Sequence, residues 1–339
     1  FIQGSPRMPV LGYQGQYNAV AERLKNLNFE VKDWSPQGRP DPRTGQPGQP
    51  APPPTPKDGQ SVVWIVTPIE PANPMMMQMG QMGGGQQIVD HVRSRMEQGE
   101  AVLFMSGPNP AAAMGMPDPV AGLLSDWGIN VKSASLIMSE VTVSSRQTAA
   151  DPTIRVSSWP NELSITQALS GNAGIFASAS PIDIEKKDGI ETYTLALAKG
   201  ARMWAQEDLQ DQKPKYDAEK ASEQFTVAVA ADQNGKRLAV FADPMWATDQ
   251  IVNYGLLGPG TAPMVGAAFP ANPELFVNSM FWLSNMDEMI AASARSQDIR
   301  RIGDVTTAQM IGIRWTVLAG LPLAIFAIGI IVGLKRRKA

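Results

Sequence analysis

Cysteine is absent from this chain, and histidine occurs once, at His91. Without thiols there is no disulfide and no thiolate metal site. With one imidazole, a histidine-based zinc site is excluded. A Ser–His–Asp mechanism would have to run through His91 or not at all. His91 lies beside the apolar stripe of its helix, toward the polar flank, and reads as a solvated surface histidine. No GxxxxGK[ST] sequence occurs, so ATP hydrolysis is not expected of this chain. Gly83-Gly84-Gly85 is neither that motif nor GxGxxG, and serves better as a loop terminator than as an anion cradle. Hence no catalytic residue, no cofactor and no metal is expected. A basic surplus is lacking too: without the four cations at 335–338, 25 basic residues of the 29 face 32 acidic ones. That balance argues against nucleic acid as a partner. The chain has neither an initiating methionine nor a signal peptide at Phe1, so an upstream piece is expected if it is exported.

One long apolar run is present. Residues 315–334, WTVLAGLPLAIFAIGIIVGL, carry no charge. At about 1.5 Å per residue such a helix spans roughly 30 Å, the hydrocarbon thickness of a bilayer. Lys335, Arg336, Arg337 and Lys338 follow at once, and a cationic tail favours the cytoplasmic side. The expectation is a single-pass protein of the cell inner membrane, in contact with the lipid bilayer, with its bulk periplasmic or otherwise extracytoplasmic.

Ahead of that run, apolar strands alternate with amphipathic helices. Helices are expected over 17–27, 86–98, 118–127 and 272–283, the last capped by Asn272 with Pro273 at its first position. Strands are expected over 29–34, 61–67, 101–105, 129–131, 135–143, 225–230 and 237–242, with Asp232-Gln233-Asn234-Gly235 as a hairpin-type turn. The rhythm points to an α/β fold, a mostly parallel sheet with flanking helices, flavodoxin-like in outline, plus one C-terminal transmembrane helix. The α/β domain over 1–150 carries two insertions. Residues 38–56 hold eight prolines and three glycines, and 71–85 hold five methionines. An irregular or antiparallel extension follows at 151–224, and the α/β domain closes over 225–285. A linker helix at 286–310, the transmembrane helix at 311–334 and a basic tail at 335–339 complete the organisation.

In open α/β sheets ligands bind beyond the carboxyl ends of strands. Ser5, Thr67, Asn109, Asp243 and Asp249 stand at such ends and form the candidate ligand crevice. Asp and Thr at these places also cap helices, so binding and capping both stand open. A membrane-bound hydrolase using Asp243 or Asp249 is one rival. A copper-handling protein is another, since the thioethers of Met75, Met76, Met77, Met79 and Met82 suit soft Cu(I), though no other soft ligand supports them.

Several stretches in order resemble the auxiliary component of Gld-type, gliding-motility-associated ABC transporters. They are FIQGSPR with FEVKDW, SVVWIVTPIEP, AVLFMSGPNP, LLSDWGINV, RLAVFADPMWATD and NPELFVNSMFWLSN, and together they cover essentially the whole chain. The resemblance implies a glutamine-amidotransferase-like α/β fold without a nucleophilic cysteine. It also implies a non-enzymatic auxiliary subunit that works with an ABC permease and a cytoplasmic ATPase. Its exported domain would bind substrate or partner, or transmit force. Two strand-end motifs depart from the family: its Gly-His-Gly-Glu-like turn is Gly4-Ser5-Pro6-Arg7 here, and its Gly-Asp-Ser-Asp-Phe is Ala242-Asp243-Pro244-Met245-Trp246.

Overall fold

A computed structural model describes residues 17–34, 52–54, 61–69, 84–116, 118–144, 147–211, 213–253, 269–290, 314–320 and 322–323. The chain divides into two compact units, Phe1–Ser296 and Gln297–Ala339.

The first unit is built on a five-stranded sheet. It comprises β1 (Val63–Val66), β2 (Ala101–Met105), β9 (Glu191–Lys199), β11 (Gln224–Gln233) and β12 (Lys236–Phe241), in the order β1-β2-β12-β11-β9. All five residues of β2 are buried, as the continuous apolar run AVLFM requires of a central strand. Its side chains alternate between two cores. Leu103 and Met105 join Phe241 on one face, and Val102 and Phe104 join Val240 on the other. The first face is covered by α1 (Asn18–Asn26) through Val20 and Leu24, and by α7 (Ala271–Leu283) through Leu275 and Phe276. The second is covered by α2 (Gly84–Glu97) through Ile88, Val89, Val92 and Met96, and by α4 (Ala121–Asp126) through Leu123 and Leu124.

Three antiparallel sheets surround this frame. β3 (Ile129–Val131) pairs with β8 (Ile182–Ile184), and β6 (Ile154–Val156) pairs with β7 (Gly174–Phe176). β4 (Leu136–Ser144) lies between β10 (Met203–Gln206) and β5 (Gln147–Asp151). Short helices complete the unit: α3 (Pro110–Ala113), α5 (Ser164–Gln167) and α6 (Asp249–Val252).

The expected mostly parallel, flavodoxin-like sheet is therefore corrected. Only β1–β2 and β2–β12 pair parallel; β12–β11 and β11–β9 are antiparallel, as are all pairings in the smaller sheets. The cause sits in the turn between β11 and β12. Asn234 and Gly235 have φ of 54° and 86°, the left-handed pair of a tight hairpin, and a two-residue loop can join only antiparallel neighbours. The strand expected at 29–34 forms no named strand among the described residues.

The second unit brings a second correction. Among the described residues no helix is long and apolar enough to cross a membrane. Thr316–Gly320 forms a π-helix, and Trp315, Val317 and Leu318 are exposed. At five residues it falls well short of the about twenty that a span needs. The rest of the apolar run, 321 and 324–334, and the basic tail lie outside the described residues. Placement as a single-pass protein of the inner membrane is thus overturned.

Candidate functional site

The strand-end crevice forms where β12 leaves the sheet at Ala242-Asp243. Asp243 is fully buried. Its Oδ2 accepts from the backbone N–H of Ala177 at 2.6 Å and of Ser178 at 3.2 Å, and its Oδ1 accepts from Met245 N–H at 2.7 Å. The carboxyl group thus ties the exit of β12 to the exit of β7. Burial pushes its pKa from 3.8 up to about 6, and the backbone donors pull it back down.

The loop after Asp243 fills the space that a ligand would need. Pro244 packs on Gly107, just past β2, so closely that a Cβ at Gly107 would collide with the Pro244 ring. Trp246 is buried, with its indole stacked on Phe241 at 3.9 Å between ring centroids. The Tyr17 hydroxyl donates to the Pro244 carbonyl at 2.8 Å. Burial, with the Asp243 charge second, pushes the Tyr17 phenol well above its ordinary range.

The other candidates serve helix ends. Asp249 opens α6, yet its carboxylate reaches the start of α1. Its Oδ1 accepts from Ala19 N–H at 2.6 Å, and its Oδ2 accepts from Asn18 Nδ2 at 3.1 Å. Tyr17, at the N-cap position, offers no side-chain cap of its own, so Asp249 satisfies one of the open donors of that helix. Asn109 caps α3, accepting from Ala111 N–H at 2.9 Å, with Pro110 at the first helical position. Thr67 follows β1 and is buried. Ser5 and the methionines at 75–82 lie outside the described residues. Asp243, Asp249 and Tyr17 are therefore brought together around the start of α1, while Asn109 turns into its own helix.

Two residues depart from expectation. Asn272 is not the cap of α7, which begins at Ala271. Its side chain is buried; Oδ1 accepts from Ile175 N–H at 2.8 Å, and Nδ2 donates to the carbonyls of Ile175 at 2.8 Å and Trp246 at 2.7 Å. It holds β7, α7 and the Asp243 loop in one arrangement. His91 is not a solvated surface group. Its ring lies 4.7 Å from Trp34 and 4.8 Å from Trp64 between centroids. Burial holds its pKa below the ordinary value, the Arg95 charge adds to the effect, and Glu100 opposes it. No sequence period marks either contact, because both join residues far apart along the chain.

No protein-family model matches the chain, and no curated protein matches it. Among solved structures, one described as "mmIFT52 N-terminal domain" is similar at a TM-score of 0.45 and 12% sequence identity, over 79% of this chain and 90% of that one. That likeness is too distant to bear on function.

Proposed function

We propose that the chain is a non-enzymatic auxiliary subunit of an ABC transport system, working by binding a partner rather than by chemistry at the strand ends. The observation that carries the non-enzymatic part is the state of Asp243. It is the carboxylate best placed to act in an α/β crevice, yet it is fully buried and accepts from backbone N–H groups through both oxygens. A general base needs a free lone pair within reach of its substrate's proton. The capping roles of Asp249 and Asn109 point the same way. The transport part rests on the ordered resemblance to Gld-type auxiliary components. An ABC permease and a cytoplasmic ATPase would be its partners. Affinity recovery from native cells after mild crosslinking tests this: a permease and an ATPase should be enriched with the chain, and recovery of the chain alone would count against the proposal.

A further inference from the structure

The hairpin that turns β11 into β12 carries Asn234-Gly235 at its tip, and both residues are exposed. An asparagine followed by a glycine is a chemically reactive pair. The Gly235 backbone nitrogen can close on Asn234 Cγ to form a five-membered ring, and glycine has no Cβ to obstruct the closure. A Cβ at Gly235 would meet no atom within 4 Å, so no neighbouring segment crowds the tip. The nitrogen is nevertheless engaged: its N–H donates to Asp232 Oδ1 at 2.7 Å. The other oxygen of that carboxylate, Oδ2, accepts from Arg237 Nε at 3.3 Å. Arg237 is fixed in turn. Its guanidinium lies 4.7 Å from the Trp282 ring centroid, and its Nη1 donates to Asp287 Oδ2 at 2.9 Å. A carboxylate positioned from the side of α7 therefore holds the one nitrogen whose attack would modify Asn234.

We propose that Asn234 is a site of spontaneous covalent modification, conversion to aspartate and isoaspartate through a succinimide, and that Asp232 sets its rate by holding the Gly235 nitrogen. In the first step that nitrogen gives its proton to a solvent base and attacks Asn234 Cγ. The N–Cγ bond forms, the Cγ–Nδ2 bond breaks, and Nδ2 leaves as ammonia. Water then adds to one of the two ring carbonyls. Breaking the bond from nitrogen to Cγ gives aspartate; breaking the bond from nitrogen to the Asn234 main-chain carbonyl carbon gives isoaspartate. The bond to Asp232 opposes the first step, because a hydrogen bond to a negative acceptor favours the protonated nitrogen. It also ties the tip to β11, so the turn resists the rotation that ring closure needs. Isoaspartate lengthens the main chain by one carbon within a two-residue loop. Gln233 opposite Lys236 and Asp232 opposite Arg237 could then no longer close the hairpin without a shift of register.

The test holds the full chain in mildly alkaline buffer and follows residue 234 by peptide mapping that separates asparagine, aspartate and isoaspartate. A free peptide of residues 230–237 gives the rate without the fold. Conversion is expected in the wild type, more slowly than in the peptide. Asp232→Ala should speed it roughly tenfold, the worth of one hydrogen bond to a charged acceptor. Asp232→Asn should recover much of the protection, since an amide oxygen also accepts from the Gly235 N–H. Both variants lose the Arg237 ion pair, so this recovery assigns the effect to the bond with Gly235. Hydrogen exchange at the Gly235 amide needs no variant, and it should be slower in the wild type than in the peptide. Wild-type conversion as fast as the peptide's, or a Gly235 amide that exchanges as fast, would overturn the proposal. So would an Asp232→Ala chain that is folded by circular dichroism and converts no faster than wild type, or an Asp232→Asn chain as fast as Asp232→Ala.

Discussion

At Asp243 two effects act on one carboxyl group. Burial disfavours its charge, and the backbone N–H donors favour it; burial wins, and the pKa rises from 3.8 to about 6. The folded chain then binds this proton more tightly than the unfolded chain. The contribution is fully present below about pH 4 and is lost as pH rises through about 6, a swing of about 3 kcal/mol. Urea unfolding across that range should show wild type losing stability relative to Asp243→Asn by up to that amount, superimposed on the other carboxylates, whose changes the two proteins share. A constant difference would mean that Asp243 titrates normally. Asp249→Ala should cost about 1–2 kcal/mol by uncapping α1, and Asp249→Asn should recover most of it, because an amide oxygen also accepts from Ala19 N–H. His91 shifts the other way. As the single histidine it gives one set of imidazole signals, and these should titrate below 6.5, so stability falls as pH drops through that folded value.

Elements show which parts of the fold could be read from the chain and which could not. β2 was legible because AVLFM is a continuous apolar run, and the β11–β12 turn was legible because Asn234-Gly235 favours left-handed backbone. The same turn contradicts a mostly parallel sheet, since the strand–helix rhythm before residue 150 says nothing about pairing after it. α7 was legible as a helix but not in its surroundings. Every residue from Ala271 to Leu283 is buried, including Asn272, Glu274 and Asn278, which an amphipathic pattern assigns to solvent. Their partners lie far along the chain: Arg23 faces Glu274 at 3.1 Å, and Asn278 donates to the Ile165 carbonyl at 3.0 Å. At the crevice, Asp249 and Asn109 accept from backbone N–H groups at helix starts, and Ser5 lies outside the described residues. The approach of Pro244 to Gly107 is a contact between loops that no period encodes. Gly107→Ala should therefore cost about 1–3 kcal/mol by overpacking. Adding Pro244→Ala should restore part of that loss, and thermal melts of the single and double variants would show a non-additive pair.

Among the described residues, Asp243, Asp249 and Asn109 are spent on holding loops and helix starts. The central claim is that the crevice does no chemistry. Turnover of the full chain against a panel of esters and glycosides tests it most directly, with Asp243→Asn measured alongside. No turnover above background is expected from either protein. Turnover by the wild type that Asp243→Asn abolishes, with the variant still folded by circular dichroism, would contradict the account.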